Sequence, residues 1–159
     1  MKYKLYTRST MVQNLVLFPG WGFDAQVMEP LAKKLALHYC VNIADLVAPI
    51  KKLQAQIPPD AILMGWSLGG LFALRLAKLM PVKKIILIAS NPCFIAQDHW
   101  PGIKPDLFHE FKNILNTNSA EALKKFAYLQ VQGMLDERKA YKKIITYLTH
   151  RVSAQALLT

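Results

Sequence analysis

The stretch that decides the fold is AILMGWSLGG, residues 61–70. Its apolar start predicts a buried strand, and residues 71–80 are rich in good helix formers. Between them Gly65, Ser67 and Gly69 form the pattern G-x-S-x-G, which is typical of a tight, strained turn from a strand into a helix. Glycine is needed at both ends because side chains there would collide with the neighbouring strand and helix. We therefore predict that the Ser67 hydroxyl projects from a sharp bend at the top of a sheet.

Short apolar runs alternate with helical patterns around this stretch. Strands are predicted at residues 15–18, 41–44 and 85–89, with a helix over residues 26–38. Such alternation indicates parallel strands joined by crossover helices. The run at 85–89 is continuously apolar, as expected of a parallel strand covered on both faces. The predicted class is an α/β fold with a mostly parallel sheet and flanking helices.

The rest of the chain has a helical, amphipathic pattern. Asn118 with Glu121 predicts a capping box at the start of one helix, and another helix is predicted to begin near Asp136. We therefore expect two parts, a core over residues 1–105 and a helical lid segment over residues 106–159.

A serine hydroxyl becomes a useful nucleophile only when it is held toward the substrate and a base removes its proton. The pattern at residues 65–69 resembles the nucleophile turn of α/β-hydrolases. In that fold the loop after the first strand, here Pro19–Gly22 (PGWG), supplies one oxyanion-hole amide, and the residue after the nucleophile supplies the other. This assigns the main-chain amides of Trp21 and Leu68. The alternative for the loop is a glycine-rich turn that only reverses the chain.

Three stretches carry a more specific resemblance: GWSLGG at 65–70, NPCF at 91–94 and WPGIKP at 100–105. On the basis of these stretches, the chain resembles the pimeloyl-[acyl-carrier-protein] methyl ester carboxylesterases of biotin synthesis. The resemblance extends from about Leu15 to the C-terminus. The resemblance implies a serine esterase that cleaves the methyl ester of a pimeloyl chain on acyl carrier protein. It also implies a C-terminal helical lid whose basic residues contact this acidic carrier.

The positions that match the basic lid residues of that family are Lys125, Arg138 and Lys142. Arg138 and Lys142 are four residues apart and would share one face of a helix. Glu121 stands where the family has another basic residue, which would alter recognition of the carrier.

The chain departs from the family in two further places. Pro19 stands where the family usually has histidine, and the segment between Asp45 and Ile57 is short, so a reduced crossover helix is expected.

The family places its catalytic acid and histidine after the lid, in the order serine, acid, histidine. The sequence ends at Thr159, about where the lid is expected to finish, so the last strands of the fold are expected to be missing. None of His99, His109 and His150 matches the catalytic histidine. Loss of a triad member leaves only residual catalysis, about 10³–10⁴-fold over water. The chain by itself is expected to be a very poor esterase.

Composition narrows the remaining possibilities. The 159 residues, 53% of them hydrophobic, suit one folded domain, and neither a membrane-spanning segment nor a secretory signal is predicted. The two cysteines fit reduced thiols in a cytoplasmic protein. No metal-ligand spacing and no phosphate-binding loop is present, so no metal or other cofactor is predicted. The net charge of +10 favours an acidic partner, but no nucleic-acid-binding signature accompanies it.

Two hypotheses follow. The chain is the N-terminal portion of an esterase of this kind, or it is a catalytically inactive fragment that binds acyl carrier protein. In either case the strand at 85–89 is expected to have an open side that invites self-association.

Overall fold

A computed structural model describes residues 12–149. The chain divides into two compact units, one extending to Pro92 and the other beginning at Cys93. The boundary expected at residues 105–106 falls within the second unit, at the start of a helix that begins at Pro105. Along residues 12–149, no helix combines the length and the apolar composition that crossing a bilayer requires.

The first unit is built on a sheet of four parallel strands in the order β2-β1-β3-β4. This confirms the predicted α/β fold with a parallel sheet. The strands are β1 (Asn14–Phe18), β2 (Cys40–Ile43), β3 (Ile62–Trp66) and β4 (Lys84–Ile88).

Strand β1 lies in the middle of the sheet and is the centre of the core. From Leu15 to Phe18 every side chain is buried, which requires cover on both faces of the sheet. On one face, Leu15 and Leu17 pack with Val41 of β2. The burial of this uninterrupted apolar run contributes to the stability of the unit.

The helix predicted over residues 26–38 is shorter and is divided. A 3₁₀ turn at Ala25–Met28 leads into α1 (Glu29–Leu35). Pro30 explains the division, because proline has no N–H to extend a helical ladder from the preceding turn but is well accepted in the first turn of a helix. The crossover from β2 to β3 contains only the seven-residue α2 (Ile50–Gln56), consistent with the expected short helix.

Helix α3 (Leu68–Leu79) begins directly after the serine, which is earlier than predicted, and packs against β3 and β4. Strand β4 is the edge strand and pairs only with β3 among the described residues. Leu87 and Ile88 are 40% and 37% exposed. The expectation that this strand is covered on both faces is therefore wrong for its C-terminal half.

The second unit is helical, as predicted. It opens with a turn in which Trp100 donates from its indole Nε1 to the carbonyl oxygen of Cys93 at 2.8 Å. A Cβ on Gly102 would lie 2.7 Å from the Phe94 carbonyl oxygen, so this turn requires glycine. The helices that follow are α4 (Pro105–Thr117), α5 (Ser119–Leu129) and α6 (Glu137–Ile144), with a 3₁₀ turn at Ile145–Tyr147.

Side chains cap α5 and α6 at the predicted positions. The Asn118 Oδ1 accepts from the N–H of Glu121 at 3.2 Å, and Asn118 Nδ2 donates to the Glu121 carboxylate at 3.2 Å. Asp136 accepts from the N–H of Lys139 at 3.0 Å. These bonds satisfy amides that have no partner inside a helix, so the helices begin where the sequence indicates.

Candidate active site

Ser67 is the single residue between β3 and α3, and its backbone is strained. Its φ is 53° and its ψ is −125°, a conformation that suits glycine and costs another residue about 1–3 kcal/mol. Strain of this kind persists only where the surrounding structure enforces it. The bend therefore has the geometry that the G-x-S-x-G pattern predicts.

The glycines on either side of Ser67 allow the bend to close. A Cβ on Gly65 would lie 2.4 Å from the main-chain nitrogen of Gly70. A Cβ on Gly69 would lie 2.3 Å from the carbonyl oxygen of Phe18 and 2.5 Å from that of Pro19. Both contacts are with backbone atoms, which cannot move aside as a side chain can. The first turn of α3 thus packs directly against the end of β1.

Ser67 lies at the carboxyl edge of the sheet, where the parallel strands end together. Its N–H donates to the carbonyl oxygen of Ile88, the last residue of β4, at 2.9 Å. Its own carbonyl oxygen accepts from the N–H of Gly70 at 2.9 Å, which closes the first turn of α3. Leu68, which is buried, is the first helical residue, where main-chain N–H groups have no acceptor within the helix. This position suits the predicted role of the Leu68 amide.

The loop that carries Trp21 lies beside the same edge. A Cβ on Gly20 would lie 3.0 Å from the indole ring of Trp66, so the loop packs on the residue that precedes Ser67. The ring of Phe23 is 5.0 Å from the Trp66 ring, and Trp21 itself is only 3% exposed. The structure therefore brings together the segments that hold Trp21, Ser67 and Leu68. Their catalytic roles stay predictions.

The described part of the first unit places no imidazole at this edge. Its one histidine, His38, is exposed and precedes β2, so it lies at the opposite, amino edge of the sheet. The carboxylates of Asp24 and Asp45 serve turns, accepting from the N–H groups of Gln26 at 2.9 Å and Val47 at 3.1 Å. His99 and His109 belong to the second unit and are exposed, and His150 lies outside the described residues.

A second strained residue at the carboxyl edge was missed by the sequence analysis. Ala89, which follows β4, has a φ of 43°. Alanine has no preference for a positive φ, so the sequence does not indicate this conformation. Next to it, the Ser90 Oγ is buried without a hydrogen-bond partner, and a Cβ on Gly70 would lie 2.2 Å from it. The ends of β3 and β4 are thus both strained at the place where the serine is presented.

The second unit contains a groove between α5 and α6. Its volume is about 770 Å³, and two of the three predicted carrier-binding residues, Lys125 and Arg138, line it. Lys142 is exposed on α6, one turn beyond Arg138, but does not line the groove. The lining residues of this α5–α6 groove are Glu121, Lys124, Lys125, Tyr128, Leu129, Glu137, Arg138 and Tyr141.

The two carboxylates of the α5–α6 groove have different partners. Glu121 forms a salt bridge with Lys125, Oε1 to Nζ, at 2.9 Å. The hydrogen bond from Lys125, and then its charge, hold the pKa of the Glu121 carboxyl below its ordinary value. Glu137 instead accepts from the N–H of Gly133 at 2.7 Å and from the hydroxyl of Tyr128 at 3.4 Å. Glu137 thus holds the connection between the helices.

The groove also has an apolar, aromatic side. The rings of Tyr128 and Tyr141 meet edge to face with centroids 5.9 Å apart, and Leu129 is 61% exposed. Among residues 12–149 there is no group of three or more His, Cys, Asp or Glu side chains placed to hold a metal ion. The groove offers cations around an apolar surface, an arrangement that suits an acidic partner with some apolar surface of its own.

Comparison with known proteins agrees with this geometry. Residues 15–157 match the model of the alpha/beta hydrolase family. The chain is 35% identical to the pimeloyl-[acyl-carrier protein] methyl ester esterase of Klebsiella pneumoniae subsp. pneumoniae, over 91% of this chain and 63% of that protein. It is 37% identical to the enzyme of the same name from Pectobacterium atrosepticum, over 79% of this chain and 56% of that protein. The chain therefore spans less than two thirds of the length of these relatives.

Solved structures support the fold. A hydrolase from Oleispira antarctica matches with a TM-score of 0.69 at 15% identity, over 91% of this chain and 63% of that one. The enol-lactonase from Burkholderia xenovorans LB400 matches with a TM-score of 0.69 at 18% identity, over 94% of this chain and 64% of that one. With the strained serine bend, the parallel sheet and the matching family model all in agreement, the chain belongs to the alpha/beta hydrolase family.

Proposed function

We propose that this chain carries the nucleophile of a carboxylic ester hydrolase that cleaves the methyl ester of pimeloyl-acyl-carrier protein. The observation that carries the proposal is the backbone of Ser67, held at φ 53° between β3 and α3. The similarity to esterases named for this substrate supplies the substrate class.

The proposed reaction begins when the Ser67 Oγ adds to the ester carbonyl carbon. The main-chain N–H groups of Trp21 and Leu68 stabilise the negative charge on the carbonyl oxygen, an effect worth about 2.7–4 kcal/mol for a single oxyanion donor. Collapse of the tetrahedral intermediate expels methanol and leaves an acyl-serine. Water then hydrolyses the acyl-serine to the free carboxylic acid and regenerates the Ser67 hydroxyl.

A base must take the proton of the Ser67 hydroxyl and give it to the departing methanol, and then take a proton from the hydrolytic water and return it to Ser67. We assign this base outside the described first unit. His38 lies at the wrong edge of the sheet, and the carboxylates of Asp24 and Asp45 serve turns. The relatives extend well beyond the length that this chain covers, so we place the acid and the histidine in that additional length. Without them, the oxyanion hole and binding leave about 10³–10⁴-fold catalysis over water.

The proposed partner is acyl carrier protein, with Lys125, Arg138 and Lys142 as its contacts. Lys125 and Arg138 line one groove, and Lys142 lies one turn from Arg138 on α6. Cations clustered on one surface attract and orient an acidic protein, chiefly by raising the rate of association. No cofactor enters the proposal. Cys40 and Cys93 are both free thiols, which accords with the cytoplasmic location that we propose.

The test is reconstitution with pimeloyl-acyl-carrier protein methyl ester as substrate. We expect near-background loss of the methyl group with this chain alone. Activity should rise when the C-terminal part of the Klebsiella pneumoniae relative is co-expressed with it. Ser67→Ala should abolish the gain, whereas Ser90→Ala, a change at a serine of the same sheet edge, should retain it. A Ser67→Ala complex as active as the unchanged one would refute the proposed nucleophile.

A second candidate function is that of an inactive fragment that binds acyl carrier protein. This function is favoured because the basic groove and the serine bend belong to different units of the chain. The α5–α6 groove is complete within the second unit, whereas the described first unit holds no imidazole at its carboxyl edge. Binding to purified acyl carrier protein, weakened by moderate salt and unaccompanied by hydrolysis even after reconstitution, would select this function.

We also propose that the chain self-associates through β4. This strand has one paired side among the described residues, and Leu87 and Ile88 are 40% and 37% exposed. An exposed apolar edge strand presents free main-chain groups to another chain.

A further inference from the structure

Three cations line the α5–α6 groove, and they differ in what they contact. Lys125 is held by Glu121 at 2.9 Å. Lys124 and Arg138 form no ion pair within residues 12–149. One of the three charges offered to an acidic partner is therefore already neutralised by a carboxylate of the chain itself.

We propose that Glu121 sets the affinity of this groove, because its carboxylate competes with carboxylates of the incoming carrier for Lys125. The inference rests on the proposed binding of acyl carrier protein and assigns a role to a residue outside the predicted contact set. In the free protein Glu121 occupies Lys125. In the complex Lys125 turns to the carrier, and Glu121 is left as an unpaired negative charge beside an acidic surface.

Geometry makes this exchange possible. Both side chains of the pair are well exposed, 59% for Lys125 and 50% for Glu121, so the bond is easily broken and re-formed. An exposed pair one helical turn apart changes an equilibrium by only about twofold. Repulsion between the released Glu121 carboxylate and the carrier adds a factor of similar size in a solvent-exposed groove. Together the two effects weaken carrier binding by about fourfold.

The other carboxylate of the groove does not compete in this way. Glu137 is held by the Gly133 N–H at 2.7 Å and by the Tyr128 hydroxyl at 3.4 Å. These bonds join the end of α5 to the start of α6, so removal of this side chain would disturb the groove itself. Glu121 is therefore the residue at which charge can be changed with the groove left intact.

The experiment is a measurement of the Kd for purified acyl carrier protein with Glu121→Gln. Glutamine serves as well as glutamate at the third helical position of a capping box and can still accept from Asn118 Nδ2. The control, Glu110→Gln, removes one negative charge from an exposed position of α4 that does not line the groove. We expect Glu121→Gln to bind about fourfold more tightly and with a steeper salt dependence, and Glu110→Gln to change the Kd less than twofold.

A double-mutant cycle with Lys125→Met tests the route of the effect. If Glu121 acts by occupying Lys125, the gain from Glu121→Gln should fall to about twofold in the Lys125→Met background. Measurable binding by the unchanged chain, with no tightening in Glu121→Gln beyond that of Glu110→Gln, would overturn the inference and leave the proposed function standing. Absence of salt-sensitive binding in every variant would instead remove the proposed carrier binding, and the inference with it.

Discussion

The main-chain N–H of Ser67 donates a 2.9 Å hydrogen bond to the carbonyl oxygen of Ile88, which ties the serine bend to the end of the edge strand β4. Gly65 and Gly69 hold the same bend against the backbone of α3 and β1. The bend is therefore fixed from both sides. This is how a serine can be kept at φ 53°, a conformation that it would leave if the surroundings relaxed.

The strain at Ser67 predicts different effects of two small substitutions. Ser67→Gly relieves a backbone strain of about 1–3 kcal/mol and loses about 0.5–1 kcal/mol to the greater freedom of glycine in the unfolded chain. We expect a net gain of about 1 kcal/mol in the free energy of unfolding, measured with urea. Ser67→Ala keeps the backbone strain, because alanine also has a Cβ, and should be close to neutral. A Ser67→Gly protein less stable than Ser67→Ala would contradict the strained bend.

The two glycines at the start of α3 should respond differently to alanine. At Gly69 a Cβ meets the Phe18 and Pro19 carbonyl oxygens at 2.3 and 2.5 Å, so the backbone itself must shift. At Gly70 the Cβ meets the side chain of Ser90 at 2.2 Å. We expect a cost of about 3 kcal/mol for Gly69→Ala and about 1–2 kcal/mol for Gly70→Ala.

Replacement of Ser90 distinguishes the side-chain clash expected in Gly70→Ala from the backbone clash expected in Gly69→Ala. Ser90→Gly should restore most of the stability lost in Gly70→Ala and none of that lost in Gly69→Ala. The comparison is made as a double-mutant cycle, since Ser90→Gly has its own effect on the unfolded chain. Equal rescue of both alanine variants would show that the first turn of α3 is not packed on the β1 backbone.

Much of this site could be predicted from the sequence because its residues carry distinctive chemistry. The glycines around Ser67 have a steric purpose that the G-x-S-x-G pattern reveals, and apolar runs indicate the buried parallel strands. The Asn118 and Glu121 pair marked a helix start correctly because side chains of this kind satisfy free helix amides.

Other features could not be predicted because they depend on tertiary packing. Ala89 at φ 43° has no local preference for that conformation. The division of the helix, by contrast, was missed although Pro30 marks it in the sequence, because proline has no N–H to continue a helical ladder. The α5–α6 groove depends on the connection that Glu137 holds through Gly133 and Tyr128. Periodicity identifies the inner face of each helix but does not show how two helices meet.

The salt bridge in the groove predicts a shift in titration. Lys125 favours the ionised form of Glu121 and lowers its pKa, so Lys125→Met should raise that pKa toward the ordinary value of a glutamate. The pair stabilises α5 above the ordinary pKa of glutamate, and this contribution is lost as the pH falls through the lowered pKa. NMR titration of the Glu121 side-chain carboxyl carbon measures this pKa in the unchanged chain and in Lys125→Met. Lys124→Met is the matched control, because Lys124 is the neighbouring groove lysine and forms no bond with Glu121. An equal shift in both variants would mean that the close contact has no part in the effect.

The exposed edge of β4 predicts self-association that one charge should suppress. Ile88 is 37% exposed at the end of the strand, and a lysine there would place a hydrated charge where another strand must pair. We expect the light-scattering mass of the unchanged chain to rise with concentration, and that of Ile88→Lys to stay at the monomer. Leu79→Lys makes the same chemical change at a 52% exposed position of α3 and should associate like the unchanged chain. A monodisperse monomer for the unchanged chain at high concentration, or equal suppression by both lysines, would show that β4 does not pair with a second copy. Loss of association only in Ile88→Lys would locate the contact at the strand whose last carbonyl also holds Ser67 in place.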